Sequence, residues 1–85
     1  MTHGFDLDDP LVCEGIVGDG CGGGRIFFVE ENRLFVYDPT TAERMLLCDT
    51  FDSPVISVTK KGCKIFLKTK DFLLKFDLQK MSLEQ

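Results

Sequence analysis

The chain contains no tryptophan, one tyrosine and a single histidine, His3, among its 85 residues. Scarcity of histidine removes the usual base for nucleophilic catalysis, so Ser53, Ser57 and Ser82 have nothing to activate them. Close cysteine pairs are also missing. Cys13, Cys21, Cys48 and Cys63 are separated by 7, 26 and 14 residues, whereas structural zinc sites pair their ligands as C-x2-4-C. No apolar run approaches the roughly 20 residues that cross a bilayer, and no membrane association is expected. Residues 1–10 carry neither the basic start nor the apolar run of a signal peptide. A cytoplasmic or nuclear protein is therefore expected, with all four thiols reduced and no metal bound.

Other chemical motifs are incomplete. Gly18-Asp19-Gly20-Cys21-Gly22-Gly23 matches G-x-G-x-x-G, but a dinucleotide loop must open a helix. Here Arg25-Ile26-Phe27-Phe28-Val29 follows, which is strand-like, so a solvent-facing mobile connection over residues 17–24 is expected. A kinase glycine loop lies between strands but needs a lysine on the next one; Arg33–Tyr37 has none. Asp6, Asp8 and Asp9 have the spacing of early calcium ligands, yet no glycine or glutamate follows at the EF-hand positions. They read as an acidic flexible leader over residues 1–10. No catalytic residue, cofactor site or metal ligand emerges, and the chain is expected not to be an enzyme.

What is abundant is apolar strand-forming sequence. The hydrophobic fraction is 44%, with eight phenylalanines, enough for one small core over residues 11–85. Arg25–Glu30 and Arg33–Asp38 read as strands, with Glu31-Asn32 as the two-residue turn between them. Asp38-Pro39-Thr40-Thr41 is a further turn, because proline fixes φ and lacks the N–H a ladder needs. Arg44–Cys48, Val55–Thr59, Lys64–Thr69 and Phe72–Leu78 read as further strands, with a turn at Lys61-Gly62. Only Thr41–Leu47 and the tail 78–85 have any helical character.

Charge is unevenly placed. Residues 1–52 hold eleven acids and three bases, and residues 53–85 hold seven lysines and three acids. The acidic half opposes general phosphate binding. Lysines alternating along a strand are ordinarily its solvated face. A small single-stranded nucleic-acid binder is the alternative reading of the basic half. Regular alternation puts Lys64, Phe66 and Lys68 on one face, where a ring flanked by cations suits stacked bases and phosphates.

Sliding the chain along itself by 39 residues aligns Gly23 with Gly62, Arg25 with Lys64, Ile26-Phe27 with Ile65-Phe66, and Tyr37-Asp38 with Phe76-Asp77. Upstream, Ile16-Val17 falls on Val55-Ile56. A period near 40 with several short strands per unit is the pattern of a propeller blade. The segment Leu34-Phe35-Val36-Tyr37-Asp38-Pro39-Thr40-Thr41-Ala42-Glu43 resembles the end of the third strand and the following turn of a WD-repeat blade. Tyr37-Asp38 stands where that family has Trp-Asp, and Phe76-Asp77 repeats it. The resemblance covers about residues 11–80; the chain departs from the family in having no Trp and no Gly-His pair at the expected place.

The expected fold is all-β: antiparallel meanders forming two propeller-blade-like repeats, about 11–49 and 54–85, with a small sandwich or barrel as the alternative. The first repeat is expected to supply four strands and the second to lack its fourth, because residues 81–85 are short and polar. Closed propellers have four to eight blades, so two leave apolar faces uncovered. The resulting expectation is a protein-interaction module completed by a partner or a second copy. Its contacts are expected on Val12, Ile16 and Val17 of the first strand and on Phe72, Leu74, Phe76 and Leu78 of the last.

Overall fold

The computed structural model describes residues 8–15, 21 and 23–84, which form eight strands and no helix. The first sheet has β1 (Val12–Glu14), β2 (Ile26–Glu30), β3 (Arg33–Asp38) and β4 (Glu43–Cys48) in sequential antiparallel order. The second has β5 (Val55–Lys61), β6 (Lys64–Thr69), β7 (Leu73–Asp77) and β8 (Ser82–Glu84), also in sequential order. The all-β class is thus established, as two four-stranded meanders packed face to face.

Alternation in the strands decides which side chains meet. Phe27 and Val29 of β2 sit opposite Val36 and Leu34 of β3, and this face turns toward the second sheet. Val58, Ile65, Leu67 and Phe76 answer from the other side to form one buried cluster. In β6 and β7 polar residues largely interleave with them, as period-2 strands covered on one side require, whereas β2 also buries Ile26 and Phe28 on its other face. Where helix was conceivable, at residues 41–47 and 78–85, the chain pairs as β4 and β8. Backbone pairing with a strand already in place outweighs weak local helix propensity.

Turn chemistry fixes the registers. Glu31 and Asn32 have φ of 51° and 59°, the double left-handed geometry of a type I′ hairpin turn, which asparagine tolerates better than most residues. Gly62 begins the β5–β6 turn at φ 61°, where a side chain would be strained. After β3, the Asp38 carboxylate accepts the Thr40 N–H at 2.9 Å and the Thr40 hydroxyl at 2.6 Å. After β7, the Asp77 carboxylate accepts the Gln79 N–H at 2.8 Å. Each turn ends on a left-handed residue, Ala42 or Met81.

The pairings of the two sheets coincide in number. Ile26 opposite Tyr37 and Val36 opposite Met45 become, 39 positions on, Ile65 opposite Phe76 and Lys75 opposite Glu84. The first strands follow a different offset: Val12 opposes Phe28, and Val58 opposes Leu67, a displacement of 46. The longer connection between β1 and β2 accounts for the seven extra positions. The suggested match of Ile16-Val17 with Val55-Ile56 lies outside the described residues on its first side. The leader to residue 7 and most of the glycine connection lie outside them as well.

Two expectations are corrected. The second sheet does have a fourth strand, because Leu83 of β8 packs against the core while Ser82 and Glu84 face away. One apolar residue in three was too little for the pattern to register. The thiols are also not all reduced: Cys21 and Cys63 form a disulfide across a sequence separation of 42. Cys13 and Cys48 remain thiols. Burial pushes the Cys13 thiol up to about 11, partly offset by the nearby Lys60 ammonium.

Candidate interaction surfaces

The connection 49–54 crosses from β4 to β5, and the Asn32 side chain ties its end to the first hairpin. The Asn32 carboxamide oxygen accepts the Val55 N–H at 2.8 Å, and its NH2 donates to the Ser53 carbonyl at 3.3 Å. Phe51 of this connection packs against the core. Opposite it stands the β6–β7 turn. There the Thr69 hydroxyl accepts the Phe72 N–H at 3.0 Å and the Thr69 N–H donates to the Phe72 carbonyl at 2.8 Å. A groove of about 600 Å³ runs between the connection and the strands β7 and β8. Leu74 and Leu83, half-buried, lie among its lining residues and pack on the core. Phe72 and Leu73 on its rim are 63% and 60% exposed.

Placing two neighbouring large apolar side chains in water costs hydrophobic free energy at every exposed carbon. The local Thr69 bonds fix the backbone at this turn. The arrangement is chemically suited to receiving apolar side chains from another chain.

A second surface lies on the opposite face of the second sheet. In the register, Thr59, Phe66, Lys75 and Glu84 form one row across β5 to β8. Ser57, Lys68 and Leu73 form the next, and Lys61, Lys64, Asp77 and Ser82 the last. Lys64 binds Glu84 at 2.7 Å, and that hydrogen bond and charge raise the Lys64 ammonium above its ordinary value despite some desolvation. For Asp77, burial acts upward but is outweighed by the Gln79 and Lys80 N–H groups and by Lys64, so its carboxyl titrates low.

The outer face of the first sheet differs in kind. Phe28 and Phe35 stack at 5.3 Å, and the Arg44 guanidinium lies over both rings at 5.3 and 5.7 Å. Arg44 also pairs with Glu30 at 3.2 Å. The cation and rings satisfy one another within the sheet.

The residues singled out from sequence separate on this structure. Phe72 and Leu74 belong to the groove. Phe76 is 1% exposed and belongs to the core, so it is unavailable to a partner. Leu78 is half-buried against that core, and Val12 is half-buried on β1. Ile16 and Val17 lie outside the described residues. Phe72–Leu78 was read as a terminal strand, but β7 is interior, paired on both sides by β6 and β8. Lys64, Phe66 and Lys68 do share a face. Missed were Leu73 and Leu83 at the groove, and the position beside Phe66 of Lys61 and Lys75, two of the seven lysines of the basic half. Pairing across strands, not spacing along one strand, brings these together.

Comparison of the chain with protein-family models, with curated proteins and with solved structures gave no match.

Proposed function

We propose that the chain is a non-catalytic protein-interaction module, a subunit or segment of a larger assembly built from blade-like sheets. The groove beside β8 carries this reading, because it presents Phe72 and Leu73 to solvent on a turn fixed by Thr69. The common register of β2–β4 and β6–β8 supports treating the two sheets as repeats of one unit, similar to propeller blades. Two such units fall short of a closed ring. Further sheets supplied by other copies, or by a partner chain, complete the assembly. Within the described residues, β4 and β8 have a paired neighbour on one side only, and strand edges of this kind accept an added strand.

Sedimentation of the pure chain over a wide concentration range tests the reading. The expected outcome is a mass that rises with concentration above the 9.6 kDa of one chain. The double substitution Phe72→Glu and Leu73→Lys is expected to return it to monomer with an unchanged sheet signal in circular dichroism. A stable association should bury more than about 1,000 Å² in total. A monomer at every concentration, unfolding cooperatively, would mean the two sheets suffice for each other and the open assembly must be abandoned.

A further inference from the structure

The outer face of the second sheet meets the groove at Leu73, Lys75 and Glu84 and carries a further combination of features around Phe66. Regular alternation along β6 sends Ile65, Leu67 and Thr69 into the core and leaves Lys64, Phe66 and Lys68 on the other side. The ladder sets Lys75 directly beside Phe66 on β7 and Thr59 beside it on β5. Lys61 is paired with Lys64 at the end of the same face. Phe66 is thus a half-exposed ring with four ammonium groups around it and a hydroxyl-bearing neighbour.

Among the described residues, Lys64 is bound to Glu84, whereas Lys61, Lys68 and Lys75 make no ion pair with a carboxylate. All three are exposed. Glu84 stands across from Lys75 and Asp77 across from Lys64, but no carboxylate stands opposite Lys61 or Lys68. Their repulsion is left to solvent and counterions, which a bound polyanion would displace. Residues i and i+2 on a strand are about 7 Å apart, so Lys64 and Lys68 lie about 14 Å apart with the ring between them. A purely solvated lysine face has no need of an aromatic side chain at its centre, on the side away from the core.

We infer that this face binds single-stranded nucleic acid, with a base stacked on Phe66 and phosphates held by Lys61, Lys68 and Lys75. An acidic protein segment would satisfy the lysines but leave the ring without a flat partner. The flat, sequence-independent surface of a base answers both requirements. Hydroxyls of Ser57, Thr59 and Ser82 are the neutral polar groups on the same rows, available to sugar or phosphate oxygens. The preference is for unpaired strands, because only there is a base face open to the ring.

Fluorescence anisotropy with a labelled oligothymidine of about 10 nucleotides, within the site sizes of sheet domains, measures the interaction. Three to four neutralised phosphates give a log–log salt slope of about −2 to −3, so affinity should fall about 20-fold to 50-fold between roughly 50 and 200 mM salt. Phe66→Leu should weaken binding at least about 5-fold with the slope unchanged, and Phe66→Tyr should restore it. Lys68→Gln with Lys75→Gln should instead flatten the slope by about 1.4. Circular dichroism on each variant separates misfolding from lost contact. Absence of binding at low salt overturns the assignment. So does a Phe66→Leu protein that binds like the parent, or a polyglutamate peptide that binds as tightly as the oligonucleotide.

Discussion

Replacing Asn32 isolates the tie between the first hairpin and the start of the second sheet. Asn32→Gly keeps the left-handed backbone at no steric cost but removes both hydrogen bonds to residues 53 and 55. Each is worth about 1 kcal/mol net, and a buried Val55 N–H left without an acceptor adds to the loss, giving about 2–3 kcal/mol in all. Asn32→Asp retains an oxygen for the Val55 N–H and loses only the donation to the Ser53 carbonyl, so about 1 kcal/mol is expected. Asn32→Ala loses both bonds and keeps a β-carbon at φ 59° without the short polar side chain that lets asparagine tolerate this region, so it should fall about 1 kcal/mol below the glycine variant. The order of stability should therefore be parent, Asp, Gly, Ala. Urea unfolding followed by circular dichroism measures it, provided the slopes agree among variants. An Asn32→Gly protein within about 0.5 kcal/mol of the parent would show that the side chain clamps nothing. Equal stability of the Gly and Ala variants would refute the backbone part of the reasoning.

Reducing the Cys21–Cys63 bond releases a loop of 42 residues, for which chain entropy gives about 4 kcal/mol of lost stability; a urea midpoint unchanged by dithiothreitol would contradict this. Acid should destabilise the fold through the two turn carboxylates. Asp38 is held below its ordinary range chiefly by the Thr40 hydroxyl, and Asp77 by N–H groups and Lys64 that outweigh its burial. Because the unfolded carboxyls bind protons first, this contribution is complete above the ordinary value of 3.8 and fades as pH falls through the lower folded values. Asp77→Asn should accordingly flatten the dependence of unfolding midpoint on pH below about 4, and a slope equal to the parent's would count against it.

Much of the fold was legible because β2 and β3 are dense in β-branched and aromatic residues, β6 alternates, and they meet turns whose residues suit them. Asn32 and Gly62 mark left-handed positions, and Pro39 marks a stop. β8 was not legible, since Leu83 alone among its three residues faces the core and its partner strand supplies the rest of the reason to extend. The apolar face of Phe72–Leu78 was correctly grouped in part, but sequence could not say that a second sheet would cover Phe76 while leaving Phe72 outside. Neither could it join Cys21 to Cys63, whose approach depends on how the two sheets stack. For the lysine face, one strand of alternation already placed Lys64, Phe66 and Lys68 together. Lys61 and Lys75 entered only through the ladder.

The bond between Cys21 and Cys63 also changes what it means to cut this chain. It links the entry to β2 with the turn that opens β6, so the peptide connection over residues 49–54 is a second joint between units already joined. A protease that nicks the exposed Asp49-Thr50 step would leave a two-chain protein of one unchanged mass apart from an added water. Its halves would part only on reduction.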